Sequence, residues 1–271
     1  MPSFHRPRPP LDAFVECFWY FPAYVVEHQR ERALPTGTTE LVLNLGRKPM
    51  RIFNDDQDVV GQHFDRSVVC GPHSSYFVLD TSESGPVVGI HFRPGGATPF
   101  FACRPDELAD RRVALEDLWG PWTHEIRDRL VMEAASPSYM FRLLEDVLRS
   151  RLRKAHQLHP AVAYAVRKLI SFPDLPCIRQ VQDESGYSPK RFIELFKGSV
   201  GLTPKVFSRI QRFQAVIARM ARGDRVDWAG VAVDGGYYDQ SHLNREFRVF
   251  SGVTPAQYEP VSEQRPSHVP I

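Results

Sequence analysis

The chain of 271 residues carries 34 Lys and Arg against 32 Asp and Glu, a net charge of +2, and 42% of its residues are hydrophobic. That length allows two domains of ordinary size, and the apolar and charged fractions are near those of a soluble globular protein, which argues against disorder except at the ends. The charge is uneven: residues 156–260 hold 14 basic against 10 acidic side chains and residues 1–155 hold 19 against 21, so the footprint a polyanion would feel lies towards the carboxy terminus.

From the start of the chain, Met1 to Pro10 is rich in proline and arginine and lacks the apolar core of a secretory signal. Ala13 to Val26 is too short to span a bilayer and is broken by Glu16 and Pro22; the expectation is a cytoplasmic protein with no membrane partner. The aromatic run Phe18, Trp19, Tyr20, Phe21 and Tyr24 suits a core, with the lining of a small-molecule pocket as its second reading. Up to Phe101, short apolar runs split by turn residues (Thr39 to Leu45, Arg51 to Phe53, Ser67 to Cys70, Tyr76 to Leu79, Val87 to Phe92) predict a mainly antiparallel sheet or small barrel. Glu40, His63, His73 and His91 fall on these candidate strands, where a barrel could gather them round a metal as in a cupin-type enzyme fused to a further domain. No two share close spacing, so structural roles come first and no metal or cofactor is called for.

Helices are expected over Pro105 to Trp119, Trp122 to Met132, and Pro137 to about His156. The last has Met140, Leu143, Leu144, Val147, Leu148 and Leu152 at three- and four-residue spacing; this stripe reads first as a face packed on its own core, and second as a dimer or interdomain helix. The four cysteines, Cys17, Cys70, Cys103 and Cys177, form no C-x-x-C pair and read as reduced, mostly buried thiols. His159-Pro160 then opens a helix that Phe172-Pro173-Asp174 ends. These features divide the chain into a β-rich effector or dimerisation domain over 1–156, a helical domain over 157–260 and a disordered tail over 261–271.

The helical domain states a single pattern twice. Gly186-Tyr187-Ser188-Pro189, Phe192, Phe196-Lys197 and Gly201-Leu202-Thr203-Pro204 return as Gly236-Tyr237, Asp239-Gln240, Leu243, Phe247-Arg248 and Gly252-Val253-Thr254-Pro255. A repeat of this length is a supersecondary unit used twice. In the first copy Ile178 to Ser185 is a short helix with Val181 inside, Gly186 supplies a turn through the left-handed region, and Ser188 caps a second helix started by Pro189. In the second copy Trp228 to Asp234 is the first helix, Gly235-Gly236 the turn and Asp239 the cap. Each Thr-Pro starts a further helix, the first running from Thr203 to about Ala221. Each unit is therefore a helix-turn-helix.

At about 100° per residue, Phe192, Leu195 and Phe196 face inwards, Lys190, Ile193, Glu194 and Lys197 outwards, and Arg191 lies at the flank. In the second copy Leu243 and Phe247 face inwards, Ser241, Asn244, Arg245 and Arg248 outwards, and His242 lies at the flank. With Ser188 and Gln240 at the helix starts, these outward residues form the candidate DNA-binding set. Arg and Asn can read guanine and adenine edges in a major groove, while hydroxyls and cations take phosphate. Glu194 is the discordant member, suited to a cytosine amino group or to repelling phosphate.

Pro160 to Tyr258 resembles the DNA-binding domain of the AraC/XylS family of bacterial transcription regulators, through the doubled G-[YF]…F…F-[KR]…G-x-[ST]-P signature. The resemblance implies two helix-turn-helix units joined by a long helix, with 188–199 and 239–250 as recognition helices entering successive major grooves. At Glu194 relatives often carry a basic or amide residue. Residues 39–46, 92–96 and 115–120 are similar to sensor domains of a subgroup of these regulators. The implied protein is α+β in class and non-enzymatic. Its implied partners are double-stranded DNA, a small-molecule effector, a second copy of the chain and, for an activator, RNA polymerase.

Overall fold

The computed structural model describes residues 2–23, 28–82, 85–132, 136–152, 158–171, 178–221, 230 and 236–271. Among them two antiparallel sheets form. The first contains β1 (Ser3–His5), β2 (Val15–Phe21), β4 (Glu40–Asn44), β7 (Ser67–Cys70), β9 (Val87–Phe92) and β10 (Arg112–Val113) in the order β1-β2-β9-β4-β7-β10. The second contains β3 (Arg30–Ala33), β5 (Met50–Phe53), β6 (Gln62–Phe64), β8 (Phe77–Asp80) and β11 (His268–Pro270) in the order β11-β3-β8-β5-β6. The five runs read as strands from the sequence are β4, β5, β7, β8 and β9.

Period-two alternation sets the layers of the first sheet. On β4, Leu41 and Leu43 enter a core with Val88, Ile90 and Phe92 of β9 and the helices α2 (Leu115–Trp119), α3 (Thr123–Met132) and α4 (Pro137–Arg151). Glu40, Val42 and Asn44 point the other way, into a cavity shared with the second sheet. The aromatic run on β2 divides by the same rule: Phe18 is buried in the helix-side core while Cys17, Trp19 and Phe21 line the cavity. Met140, Leu143, Leu144 and Leu148 of α4 belong to that same core, so its stripe is consumed within its own domain.

Two expectations need correction. Pro105 to Trp119 is not one helix: α1 (Pro105–Leu108) and α2 are separated by β10. The edge of β7 captures the intervening chain, with Arg112 opposite Cys70 and the Asp110 carboxylate accepting from the Ser74 amide at 2.6 Å; Asp110 itself adopts φ +56°. The tail over 261–271 is also not disordered in this structure. Its residues 268–270 pair with β3, Leu34 N–H donates to the Ser267 carbonyl at 2.8 Å, and Val269 is buried. The chain end thus returns to the amino-terminal half.

The carboxy-terminal half is helical: α5 (Pro160–Ser171), α6 (Ile178–Glu184), α7 (Pro189–Val200), α8 (Pro204–Met220) and α9 (Gln240–Ser251). The expected boundary at His156, the helix stop at Phe172-Pro173-Asp174, the helix Trp228 to Asp234 with Gly235, and the residues Tyr24 and Cys177 lie outside the described residues.

Candidate nucleic-acid interface and interior cavity

Local chemistry fixes both units. The Ser188 hydroxyl accepts from the Arg191 N–H at 3.4 Å and starts α7, and the Asp239 carboxylate accepts from the His242 N–H at 2.6 Å and starts α9. Each satisfies one of the amides that a helix start leaves without an intrahelical partner. The turns fall at Gly186 (φ +74°) and Gly236 (φ +69°). Thr203 caps α8, accepting from Val206 N–H at 3.3 Å. After the second unit, Thr254 leads only into the single 3-10 turn Pro255–Gln257, closed by a capping box with Gln257, so this copy of Thr-Pro starts no long helix. Phe192 and Phe196 of α7, Phe207, Ile210 and Phe213 of α8, and Leu243, Phe247 and Phe250 of α9 are buried in one cluster, which makes the two units faces of a single core.

The outward set follows from that burial. Ser188, Lys190, Arg191, Ile193, Glu194 and Lys197 are all exposed on α7 or at its cap. Glu194 lies 3.7 Å from Arg191, so its charge is partly offset on its own helix, and the face keeps three cations against one carboxylate. On α9, Gln240, Ser241, Arg245 and Arg248 are exposed while His242 and Asn244 are half-buried. The His242 ring packs edge-on against Tyr237, and its Nδ1 accepts from the Tyr238 N–H at 3.3 Å, so it is partly committed to its own turn.

The sequence reading missed Glu246. It is 8% exposed, accepts from Arg209 Nε at 2.6 Å and lies 3.7 Å from Arg212 Nη2; Arg212 also donates to the Gly236 carbonyl at 2.9 Å. A carboxylate at the inner position between Leu243 and Phe247, facing a helix with two arginines three apart, was the available signal. These bonds tie the second unit to α8.

The second feature is a cavity of about 380 Å³ between the sheets. Trp19, Phe21, Val42, Ile52, Phe77 and Leu79 supply apolar wall, and residues 264–268 of the returning tail close one side. Glu40 sits within it: Oε1 accepts from Trp19 Nε1 at 2.9 Å and lies 3.5 Å from His91 Nδ1. Burial opposes its charge, but the hydrogen bond and charge of His91, the charge of His268 and the Trp19 N–H hold its carboxyl below the usual range. Burial, with Glu40 close by, pushes the Cys17 and Cys70 thiols up to about 11 and about 12, so neither is a reactive thiolate at neutral pH. Of Glu40, His63, His73 and His91, Glu40 and His91 meet, whereas His63 lies on the exposed β6 opposite Arg51 and His73 lines the cavity from the loop between β7 and β8. Among the described residues no group of three or more His, Cys, Asp or Glu is arranged to hold a metal ion.

Residues 181–260 match the family model "Helix-turn-helix domain", and residues 3–114 match "Domain of unknown function (DUF6597)". No curated protein matches the chain. Among solved structures the chain is similar to ToxT from Vibrio cholerae, with TM-score 0.52 at 11% identity over 89% of this chain and 97% of that one. ToxT from strain O395 bound to (E)-4-(8-methylnaphthalen-1-yl)but-3-enoic acid gives TM-score 0.51 at 11% identity over 89% and 97%. Wild-type ToxT from strain SCE256 bound to an unsaturated fatty acid gives 0.51 at 10% over 89% and 94%. At such identities the likeness is one of fold. No helix among the described residues is long and apolar enough to cross a membrane. With the capped helices α7 and α9 on one core and the family match across them, residues 181–260 form a helix-turn-helix domain of the AraC type.

Proposed function

We propose that the protein is a sequence-specific regulator whose α7 and α9 read two successive major grooves on one face of DNA, under the control of a small molecule held in the intersheet cavity. The observation that carries this is the equivalence of α7 and α9: both span 12 residues, both are side-chain capped, and both turn polar faces outwards from one core. The shared α8 fixes their separation. Lys190, Arg191, Lys197 and Arg248 take phosphate, which positions the domain, while Asn244 and Arg245 reach base edges. Residues 1–156 form the sensing half and 157–260 the reading half, in the cytoplasm. A second copy of the chain and, for an activator, RNA polymerase are the protein partners. That ToxT has been solved with small acids bound supports an effector for a chain of the same fold.

Selection of bound duplexes from random DNA, at fixed salt and with the full chain, tests the reading. The expected result is a motif of two blocks whose centres lie about ten base pairs apart. A single block would leave one reading head, and enrichment of no sequence would sink the proposal.

A further inference from the structure

The polar groups round the cavity are unequally engaged, and the inequality bears on what the cavity binds. Arg51 donates to the Val59 carbonyl at 2.9 Å and to that of Val60 at 2.8 Å; Arg265 donates to Glu31 at 2.7 Å; Lys48 is engaged as well. An anionic head group entering the cavity would therefore compete with bonds already made. Glu40 is the opposite case. Its Oε1 is fixed by Trp19 and His91, His91 Nε2 lies 3.2 Å from Thr38 Oγ1, and Thr38 Oγ1 lies 2.8 Å from Thr36 Oγ1. Its Oε2 accepts no hydrogen bond from the described residues, and the side chain keeps 35% of its surface accessible where it lines the cavity. An oriented carboxylate with one oxygen open to an apolar chamber gains a charge-assisted hydrogen bond when a cationic donor enters.

We propose that the cavity takes a small molecule with an apolar body and one cationic hydrogen-bonding head, of the alkylamine or arylamine class, with the head seated on Oε2 of Glu40 and the body along Trp19, Phe21, Val42 and Phe77. This rests on the effector reading of the cavity and sets the chain apart from ToxT, whose bound molecules are acids. The seat also adjoins the reading half. Thr36 and Thr38 continue the chain of polar contacts from His91, and the Pro35 and Thr36 carbonyls accept from Gln214 and Gln211 of α8 at 2.8 and 3.2 Å. A head group that reorders Glu40 and His91 acts on the loop that α8 grips.

The test titrates n-octylamine, n-octanol and n-octanoate calorimetrically into the full chain as wild type, Glu40→Gln and Glu40→Asp, with thermal melts of each apo protein to establish folding. Gln keeps an oxygen for Trp19, and Asp keeps the charge. The expected result is one-to-one binding of the amine to wild type about tenfold or more tighter than the alcohol, with octanoate weakest. The amine preference should vanish in Glu40→Gln and survive in Glu40→Asp. Alcohol or octanoate binding as tightly as amine, or an amine preference that persists in Glu40→Gln, overturns the head-group assignment and leaves the cavity as an effector site. Binding by none of the three overturns both.

Discussion

Glu31 shows how much one side chain can carry. It is 0% exposed on β3, with Arg265 at 2.7 Å, His268 at 3.2 Å and His28 at 2.8 Å. Burial alone would raise its pKa, but the His268 hydrogen bond and the Arg265 charge prevail and lower it from 4.5 to about 2. A carboxyl lowered in the folded state stabilises above its unfolded pKa, and that contribution is lost as pH falls through the folded value. Here it amounts to about 3 kcal/mol, disappearing between about pH 5 and about pH 2. Urea unfolding across that window should show wild type losing this stability and Glu31→Gln, which lacks the titrating group, changing much less. Parallel curves would place the acid sensitivity elsewhere. At the reading face, Arg245 is exposed on α9. Arg245→Ala is expected to weaken cognate binding by about 1–3 kcal/mol and relax preference at one base pair. Equal losses on cognate and random duplexes in competition titrations would make it a phosphate contact.

At the scale of elements, the sequence was legible where local chemistry and periodicity agree. Ser188, Thr203 and Asp239 cap as their types predict, and the inward positions Phe192, Phe196, Leu243 and Phe247 are all buried. β3 and β11 were missed for physical reasons: Arg30-Glu31-Arg32-Ala33 hides a charge where a strand pattern shows an apolar residue, and β11 is three residues long, with Pro266 just before it and Pro270 as its last residue. Proline is tolerated there because β11 is an edge strand. Glu40 stands out in the sequence as a charge on a strand, yet only the facing of two sheets makes it a cavity residue. The inner face of the reading units gives two predictions. Phe196→Ala or Phe247→Ala should cost about 3–5 kcal/mol by emptying a core filled to 0% exposure, and an unchanged melting temperature would contradict that placement. Glu246→Ala should cost about 3 kcal/mol, because it strands Arg209 and Arg212 in the joint between α9 and α8. It should also blur protection of one DNA block more than the other in footprinting, whereas equal blurring would mean Glu246 acts only through global stability.

Across the whole molecule, the halves meet at several places, three of which bear on how they are held. α7 packs on α1, where a Cβ added to Gly201 would lie 2.7 Å from Pro72. α8 grips the loop after β3 through Gln211 and Gln214. The tail leaves the last helical turn, is held by Tyr258 donating to the Pro266 carbonyl, and adds β11 to β3 while Val269 enters the helical core. The tail is therefore both a wall of the cavity and a tie between the β-rich and helical halves. Deleting residues 264–271 removes Arg265 and His268 from around Glu31 and exposes the β3 edge, so a loss of about 3–5 kcal/mol is expected from a buried charge that has lost two of its partners. Calorimetry should show one cooperative transition in the intact chain and a lower, broadened or divided one in the truncated chain. If that charge is the main cost, Glu31→Gln in the truncated chain should recover some of the loss, because an amide is cheaper to bury with few partners than a carboxylate. No recovery would assign the tie to the strand hydrogen bonds and Val269. A truncated chain that melts like the intact one would show that the halves are held together without the tail.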